Sequence, residues 1–253
     1  MADAKDPLSG RAALVTGASS GIGRAIAERL AAAGMDVLAV DLHADPDGAG
    51  HSFEADLTDP AANEAAVAAA LERFGRLDLV VPNAGVQHVA PIAEFPLERW
   101  QTIVSLLLTS PFLLARRAWP ALRESPAGRF IVVASVHALV ASPYKAAYIS
   151  AKHGVLGLVK TLALEGAPDG ITATAVCPAY VRTPLVQKQI ADQARVHGMP
   201  EDQVLEQVIL APHAVKRLIE PSEVAEVVAF LAGPGGSAFT GVPVTMDQGW
   251  SAR

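Results

Sequence analysis

Ala12-Ala13-Leu14-Val15-Thr16-Gly17-Ala18-Ser19-Ser20-Gly21-Ile22-Gly23 is the stretch on which the reading of this chain turns. Four apolar residues, few enough for a buried strand, run into a glycine-spaced turn, and the helical pattern of Arg24–Leu30 follows at once. Side-chain-free positions let the backbone approach a pyrophosphate, whose charge then sits against the unpaired N–H groups at the start of the helix. A glycine turn that merely packs would look the same in isolation, so the context has to decide. The next apolar run, Asp36–Val40, ends in Asp41, where a carboxylate can accept hydrogen bonds from the diol of an adenosine ribose. Asp41 would repel a 2′-phosphate, and Ser19, Ser20, Leu42 and His43 offer no cation to receive one. The cofactor expected from these residues is therefore NAD.

Outward from this turn the same rhythm continues. Strand-like runs recur at Leu77–Val81, Phe130–Ala134, Thr172–Val176 and Val242–Met246. Between them, apolar residues return at three and four over Gly21–Ala33, Pro60–Phe74, Leu97–Leu122, Ala146–Gly166 and Ser222–Ala232. Such alternation requires right-handed crossovers and a parallel sheet, because each crossover lays its apolar stripe back on the sheet. The expected fold is α/β: one domain over residues 1–253, a Rossmann-like doubly wound parallel sheet with helices on both faces. The segment at about 180–217 breaks the rhythm with weakly amphipathic helix between Pro178, Pro200 and Pro212, and so long an insertion after a strand reads as a helical substrate lid.

Composition narrows the classes. Of 253 residues 20 are Lys or Arg and 26 are Asp or Glu, a net charge of −6, with no basic run. That balance excludes a nucleic-acid footprint and a basic membrane-surface patch. The single cysteine, Cys177, excludes an internal disulfide and a multi-cysteine metal site, and no metal is expected. Met1–Pro7 shows no apolar leader, and the uncharged stretch Trp100–Ala115 is shorter than a membrane span and contains Pro111. A cytoplasmic protein is expected.

Tyr148 and Lys152 stand four apart in a helical stretch and so project from one face. A phenol is too weakly acidic to serve as a base near neutrality, and a neighbouring ammonium favours its phenolate. Ser135 follows the strand Phe130–Ala134, at the carboxyl edge where open α/β sheets bind ligands, and its hydroxyl is placed to hold a reacting oxygen. Separately, such residues are commonly a helix surface and a cap; together with the glycine turn they form a candidate site.

With these residues the chain resembles the short-chain dehydrogenase/reductase family over essentially its whole length. The resemblance rests on Thr16–Gly23, Asp56-Leu57, Asn83-Ala84-Gly85, Ser135, Tyr148-x-x-x-Lys152, and Pro178 with Thr183. It implies that Gly17, Ser19, Ser20, Gly21, Ile22 and Gly23 belong to the cofactor site, that Asp56 and Leu57 meet the adenine, and that Asn83, Ala84 and Gly85 flank the nicotinamide ribose. Lys152 would also bind that ribose, and Pro178, Val181 and Thr183 would contact the nicotinamide. Ser135, Tyr148 and Lys152 would be catalytic, with Tyr148 exchanging the hydroxyl proton while hydride passes to or from the cofactor.

Within the family, Ala134–His137, Ala141–Lys145, Ala151–Gly154, Tyr180–Gln189 and Gly249–Arg253 resemble bacterial D-3-hydroxybutyrate dehydrogenases. That resemblance implies a hydroxy- or keto-acid substrate whose carboxylate is gripped by Gln87, His137, Lys145 and Gln189 beside Ser135 and Tyr148, with Tyr180 and Trp250 as apolar walls. It also implies a homotetramer joined through the helices of Trp100–Ala115 and Ala146–Leu164, whose uncharged faces exceed what one side of a sheet needs. Independently, Ser142-Pro143 reads as an N-cap and first helical residue, which places Lys145 in the first turn, where the helix dipole disfavours a cation and a bound carboxylate would compensate it. Departures from the family pattern are Leu107 where a catalytic Asn is usual, Pro82 for Asn, Ala179 for Gly, Tyr180 for Trp and Gln248 for Gly. Leu107 removes an amide that fixes a water relay to Lys152, so attenuated activity is expected. Two other readings stay open: a dehydrogenase of another small hydroxy acid or polyol, and a non-catalytic NAD-binding protein.

Overall fold

A computed structural model of the chain describes residues 6–252, and at 196 and 197 the backbone only. Residues 1–5, where the sequence shows no apolar leader, and Arg253 of the terminal signature lie outside the described residues. Seven strands, β1 (Ala12–Thr16), β2 (Asp36–Asp41), β3 (His51–Glu54), β4 (Leu79–Val81), β5 (Arg129–Val133), β6 (Thr172–Pro178) and β7 (Pro243–Met246), form one sheet. The order is β3-β2-β1-β4-β5-β6-β7 and every pairing is parallel. β1 and β5 are buried at every position, which explains their unbroken apolar runs: helices cover both faces.

The helices are α1 (Gly21–Ala32), α2 (Pro60–Phe74), α3 (Leu97–Val104), α4 (Ser110–Glu124), α5 (Ala146–Gly166), α6 (Pro184–His197), α7 (Glu201–Val204) and α8 (Pro221–Ala232). Alternate residues of each strand feed two separate cores. Leu14, Phe130 and Val132 pack on one face against Ala66 and Val67 of α2, Leu114 of α4 and Val155 of α5. Ala13, Val15, Ile131 and Val133 pack on the other against Ile26 of α1 and Val224 and Val228 of α8. Between β1 and β4 the chain order reverses, which opens a crevice at the carboxyl ends of the strands.

Three details differ from the sequence reading. β3 was not expected, because His51–Glu54 is a polar, largely exposed edge strand without an apolar signature. The helix expected over Leu97–Leu122 is interrupted by a π-turn at Ser105–Thr109, with Leu107 at its middle and only 2% exposed. Third, Ser142-Pro143 does not open α5. Tyr144 adopts a left-handed backbone (φ 69°), which ends any helical run, and the N-cap is Lys145 itself. Lys145 is therefore not in the first turn, and the dipole argument for its charge does not hold.

The amino edge of the sheet is closed by Asp78. Its carboxylate accepts from Ala12 N (2.8 Å), from Ser125 Oγ (2.6 Å) and from both faces of the Arg76 fork (2.8 Å each). Burial alone would raise this carboxyl, but Arg76, Ser125 and Ala12 overcome it and hold it below the usual carboxylate range.

Candidate active site

The crevice is a cavity of about 610 Å³ running from the β2 end across to the helical insertion. Its floor is built by the first crossover. Gly17 adopts φ 66°, and a Cβ there would lie 2.8 Å from Ala84 Cα; at Gly23 a Cβ would lie 2.0 Å from the Gly17 carbonyl oxygen. Only glycine permits α1 to start this close to the strand. The N-cap Ser20 makes no side-chain cap hydrogen bond to the first turn of α1, and Ser20, Gly21 and Ile22 line the cavity. A glycine cradle ending in open N–H groups is a fit for a pyrophosphate.

Asp41 stands on the rim. Its carboxylate accepts from Ser19 N (3.0 Å) and His43 N (3.3 Å), which orients it. Asp56 and Leu57 line the same end, Asp56 held low by Thr58, whose hydroxyl and N–H both donate to it. Ser19 in the loop and Gly23 in the first turn of α1 do not face the cavity: Ser19 Oγ donates to the His43 carbonyl, and Gly23 packs on Gly17. Asn83, Ala84 and Gly85 line it from the loop after β4, but the Asn83 amide is spent on the carbonyls of Thr16 (2.9 Å) and Gly17 (3.3 Å). The Thr16 hydroxyl in turn accepts from Asn83 N and Ala84 N, a brace that sequence reading did not single out.

At the middle of the cavity Ser135, Tyr148 and Lys152 come together as expected, and Pro178, Val181 and Thr183 face them. Lys152 Nζ donates to the Val133 carbonyl (2.9 Å) and lies 5.6 Å from the Tyr148 ring centre. Burial pushes Tyr148 up to about 12, against an opposing pull from the Ser135 hydroxyl, and pushes Lys152 down to about 8. Removal from water thus sets the phenol, and the depression expected from Lys152 is not among the pulls on it. Beneath Tyr148, Leu107 packs with Ile103, Ala147 and Ala151, an apolar patch with no amide in it.

The far end is enclosed by the insertion. Lys145, 1% exposed, donates from Nζ to Tyr180 Oη (2.9 Å) and Gln189 Oε1 (3.3 Å). Gln189 Nε2 donates to Gln87 Oε1 (2.8 Å), and the buried Gln87 Nε2 is left without a partner. Among the described residues no carboxylate forms an ion pair with Lys145, and burial alone pushes it down to about 8. Tyr180 is stacked on Trp250 (5.8 Å) and on His213 (5.9 Å), so it is a wall as expected and also a polar partner of Lys145. His137 lines the same end with both ring nitrogens already engaged, by Ser135 Oγ (3.4 Å) and Ser142 Oγ (3.0 Å). Gln248, left-handed at φ 54°, ties the return of the insertion to the turn carrying Trp250: its carbonyl accepts from Ala214 N (2.9 Å) and Val215 N (3.2 Å). Oriented to satisfy both amide atoms, its Nε2 donates to the carbonyls of Val215 (2.8 Å) and Arg217 (2.6 Å). The sequence marks Gln248 only as a departure and Ser142 only as an expected N-cap, and nothing in it points to His213.

A family model described as Enoyl-(Acyl carrier protein) reductase matches residues 17–251, nearly the whole of this site and fold. The D-beta-hydroxybutyrate dehydrogenase of Rhizobium meliloti (strain 1021) is 43% identical, over 96% of this chain and 99% of that protein. The chain belongs to the short-chain dehydrogenase/reductase family. Another member, the D-beta-hydroxybutyrate dehydrogenase of Cupriavidus necator, is 41% identical over 97% of this chain and all of its own. Among solved short-chain dehydrogenases, the ligand-free aldohexose dehydrogenase of Thermoplasma acidophilum superposes with a TM-score of 0.90 at 33% identity, over 99% of this chain and 97% of that one. Membership makes the chain an oxidoreductase of a small molecule, using a nicotinamide cofactor. Among the described residues no helix is long and apolar enough to cross a membrane.

Proposed function

We propose that the chain interconverts D-3-hydroxybutyrate and acetoacetate with NAD. The observation that carries this reading is Lys145, a buried cation at the inner end of the cavity without a carboxylate of its own. An unpaired buried charge is costly, and a substrate carboxylate removes the cost. Tyr180 and Gln189 use two of the three ammonium N–H groups, which leaves one for the acid, beside the orphaned Gln87 amide. Two relatives above 40% identity carry the name of this activity, which supports the same acid and its D configuration. Asp41 favours NAD over NADP by repelling a 2′-phosphate.

Gly17, Ser20, Gly21 and Ile22 would hold the pyrophosphate, Asp41 the adenosine ribose, Asp56 and Leu57 the adenine. Asn83–Gly85 and Lys152 would hold the second ribose, with Pro178, Val181 and Thr183 against the nicotinamide. When bound, the oxidised nicotinamide is the electron acceptor for C3 of the acid. Ser135 holds the reacting oxygen and Tyr148 takes its proton. Because burial holds Tyr148 near 12, its phenolate depends on positive charge nearby: Lys152, and the cationic ring of the oxidised cofactor. The insertion at 180–217 acts as a lid that excludes water over the acid, and the whole chain works as one domain. Copies would associate through α4 and α5, where Phe112 and Leu164 are 48% and 79% exposed, to give the tetramer.

The test is NADH formation from either enantiomer of 3-hydroxybutyrate with NAD or NADP, beside lactate, 3-hydroxyvalerate and a polyol. D-selective, NAD-selective turnover that is lost in Tyr148→Phe is the expected result. Turnover confined to the polyol would replace the acid by a neutral substrate. NADH binding without turnover on any of them would make Leu107 decisive and the chain a binding protein.

A further inference from the structure

Three rings meet at the inner end of the cavity, and each comes from a different segment. Tyr180 stands where the insertion leaves β6, His213 on its returning limb, and Trp250 on the turn after β7. The ring centres are 5.7 to 5.9 Å apart in every pair, and Tyr180 lies within 17° of the Trp250 plane and 28° of the His213 plane. Tyr180 and Trp250 line the cavity, whereas His213 is fully buried and lies outside the lining. The backbone at this junction is pinned: Ile219 N donates to the Tyr180 carbonyl (2.9 Å) and Arg182 N to the Ile219 carbonyl (2.8 Å). Such pairing fixes where Tyr180 stands but not how its ring turns, which is left to the side chains around it.

The turn of that ring matters because of its hydroxyl. Tyr180 Oη accepts from Lys145 Nζ (2.9 Å), so its own hydrogen must point elsewhere, and among the described residues no acceptor takes it. Burial, then the nearby Tyr148, raises this phenol above its ordinary range, so the hydroxyl stays a donor. Together with the third N–H of Lys145 and the orphaned Gln87 amide, it is a third unspent donor at this end of the cavity.

His213 is oriented in its turn. In the orientation of Gln248 given above, Nε2 of that amide also donates to His213 Nδ1 (3.2 Å), which leaves the ring hydrogen on His213 Nε2, buried and without a partner. One hydrogen bond therefore sets the plane of the imidazole, and a face of it goes to Tyr180.

We propose that His213 is a positioning residue for the acid: stacked on Tyr180, it holds that ring at the angle where the phenol oxygen meets Lys145 and the phenol hydrogen meets the substrate carboxylate. The proposal rests on the acid lying against Lys145, and adds to that reading one ligand, the Tyr180 hydroxyl, and one support behind it. His213 touches neither acid nor cofactor and acts only through Tyr180. A residue on the returning limb of the insertion thus sets how tightly an acid is held.

The experiment is a double-mutant cycle on steady-state oxidation of D-3-hydroxybutyrate by the full chain with NAD, using His213→Leu, Tyr180→Phe and the two together. Leucine fills the space without offering a stacking face, and His213→Gln repeats the cycle with a second side chain that has no ring. Each single variant is expected to raise the KM for the acid up to about tenfold with little change in kcat, the factor a ring pair is worth. The two together should raise it no further than the larger single effect, because without the hydroxyl there is nothing left for His213 to position. His213→Phe, which keeps a face for Tyr180, should restore a KM within about twofold of the native value. Thermal unfolding of each variant reads the fold separately. Single effects on KM that multiply, a native KM in His213→Leu, a fall in kcat to match the rise in KM, or a His213→Phe no better than His213→Leu overturns the positioning role and leaves the acid reading intact. A native chain that makes no NADH from the acid overturns both.

Discussion

On the proposed reading, Lys145 contributes to substrate binding what it takes from stability. In water its ammonium titrates near 10.5, whereas burial lowers it to about 8 in the folded chain. Below pH 8 the group is charged in both states, so the full penalty is present; it fades as pH rises from about 8 towards 10.5. Lys145→Met keeps the volume and drops the charge. It should raise the KM for the acid at least tenfold with little change in kcat, and stabilise the fold by roughly 3 kcal/mol at neutral pH. Steady-state kinetics and urea unfolding measure the two effects separately. In the native chain the KM should climb as pH passes about 8. The sequence made Lys145 a ligand for the wrong local reason, because nothing in a tyrosine signals the left-handed turn at Tyr144 that ends the supposed first turn. Ser135, Tyr148 and Lys152 were legible because strand periodicity and the i, i+4 spacing fix where they point. For His137 a single sequence shows a polar side chain but not the two hydroxyls, of Ser135 and Ser142, that meet its ring nitrogens.

Among elements, those buried on both faces were easiest to read and those at the margins hardest. β1 and β5 show apolar runs, while β3 is a polar edge held by pairing with β2 and by Phe53 against the core. The π-turn at Ser105–Thr109 was hidden because its sequence is as apolar as the helix around it; an extra residue in one turn leaves periodicity almost intact. The first crossover is the reverse case, since glycine spacing reports backbone contact directly. Gly23→Ala would drive a methyl group to within 2.0 Å of the Gly17 carbonyl, so α1 must shift away from β1. NADH binding, followed by fluorescence, should weaken by more than tenfold while the far-ultraviolet circular dichroism stays native-like.

For the molecule as a whole, parallel strands divide the labour between two rims. The carboxyl ends of β1 to β6 lead into the cavity, and at the opposite rim Asp78 ties the amino ends of β1 and β5 together. Asp78→Asn should destabilise the fold by about 3 kcal/mol, because it leaves Arg76 and the Ser125 hydroxyl facing an amide, and it should leave the KM unchanged. The contribution of this carboxylate is held at pH above about 4 and lost as pH falls through its depressed folded value, so the variant and the native chain should converge in acid unfolding.

Gln248 brings these scales together. A side chain in the left-handed region costs about 1 kcal/mol of backbone strain, and here the strained residue is the clasp between the insertion and the turn that carries Trp250. Gln248→Gly would relax the backbone and remove the amide that clasps Val215 and Arg217. The expected result is faster departure of the keto acid and a higher kcat in the cold, with a raised KM and earlier heat inactivation, all readable from one temperature series. On that expectation grip on the substrate and speed of letting go are set by the same residue, and a chain living at lower temperature would have reason to exchange one for the other.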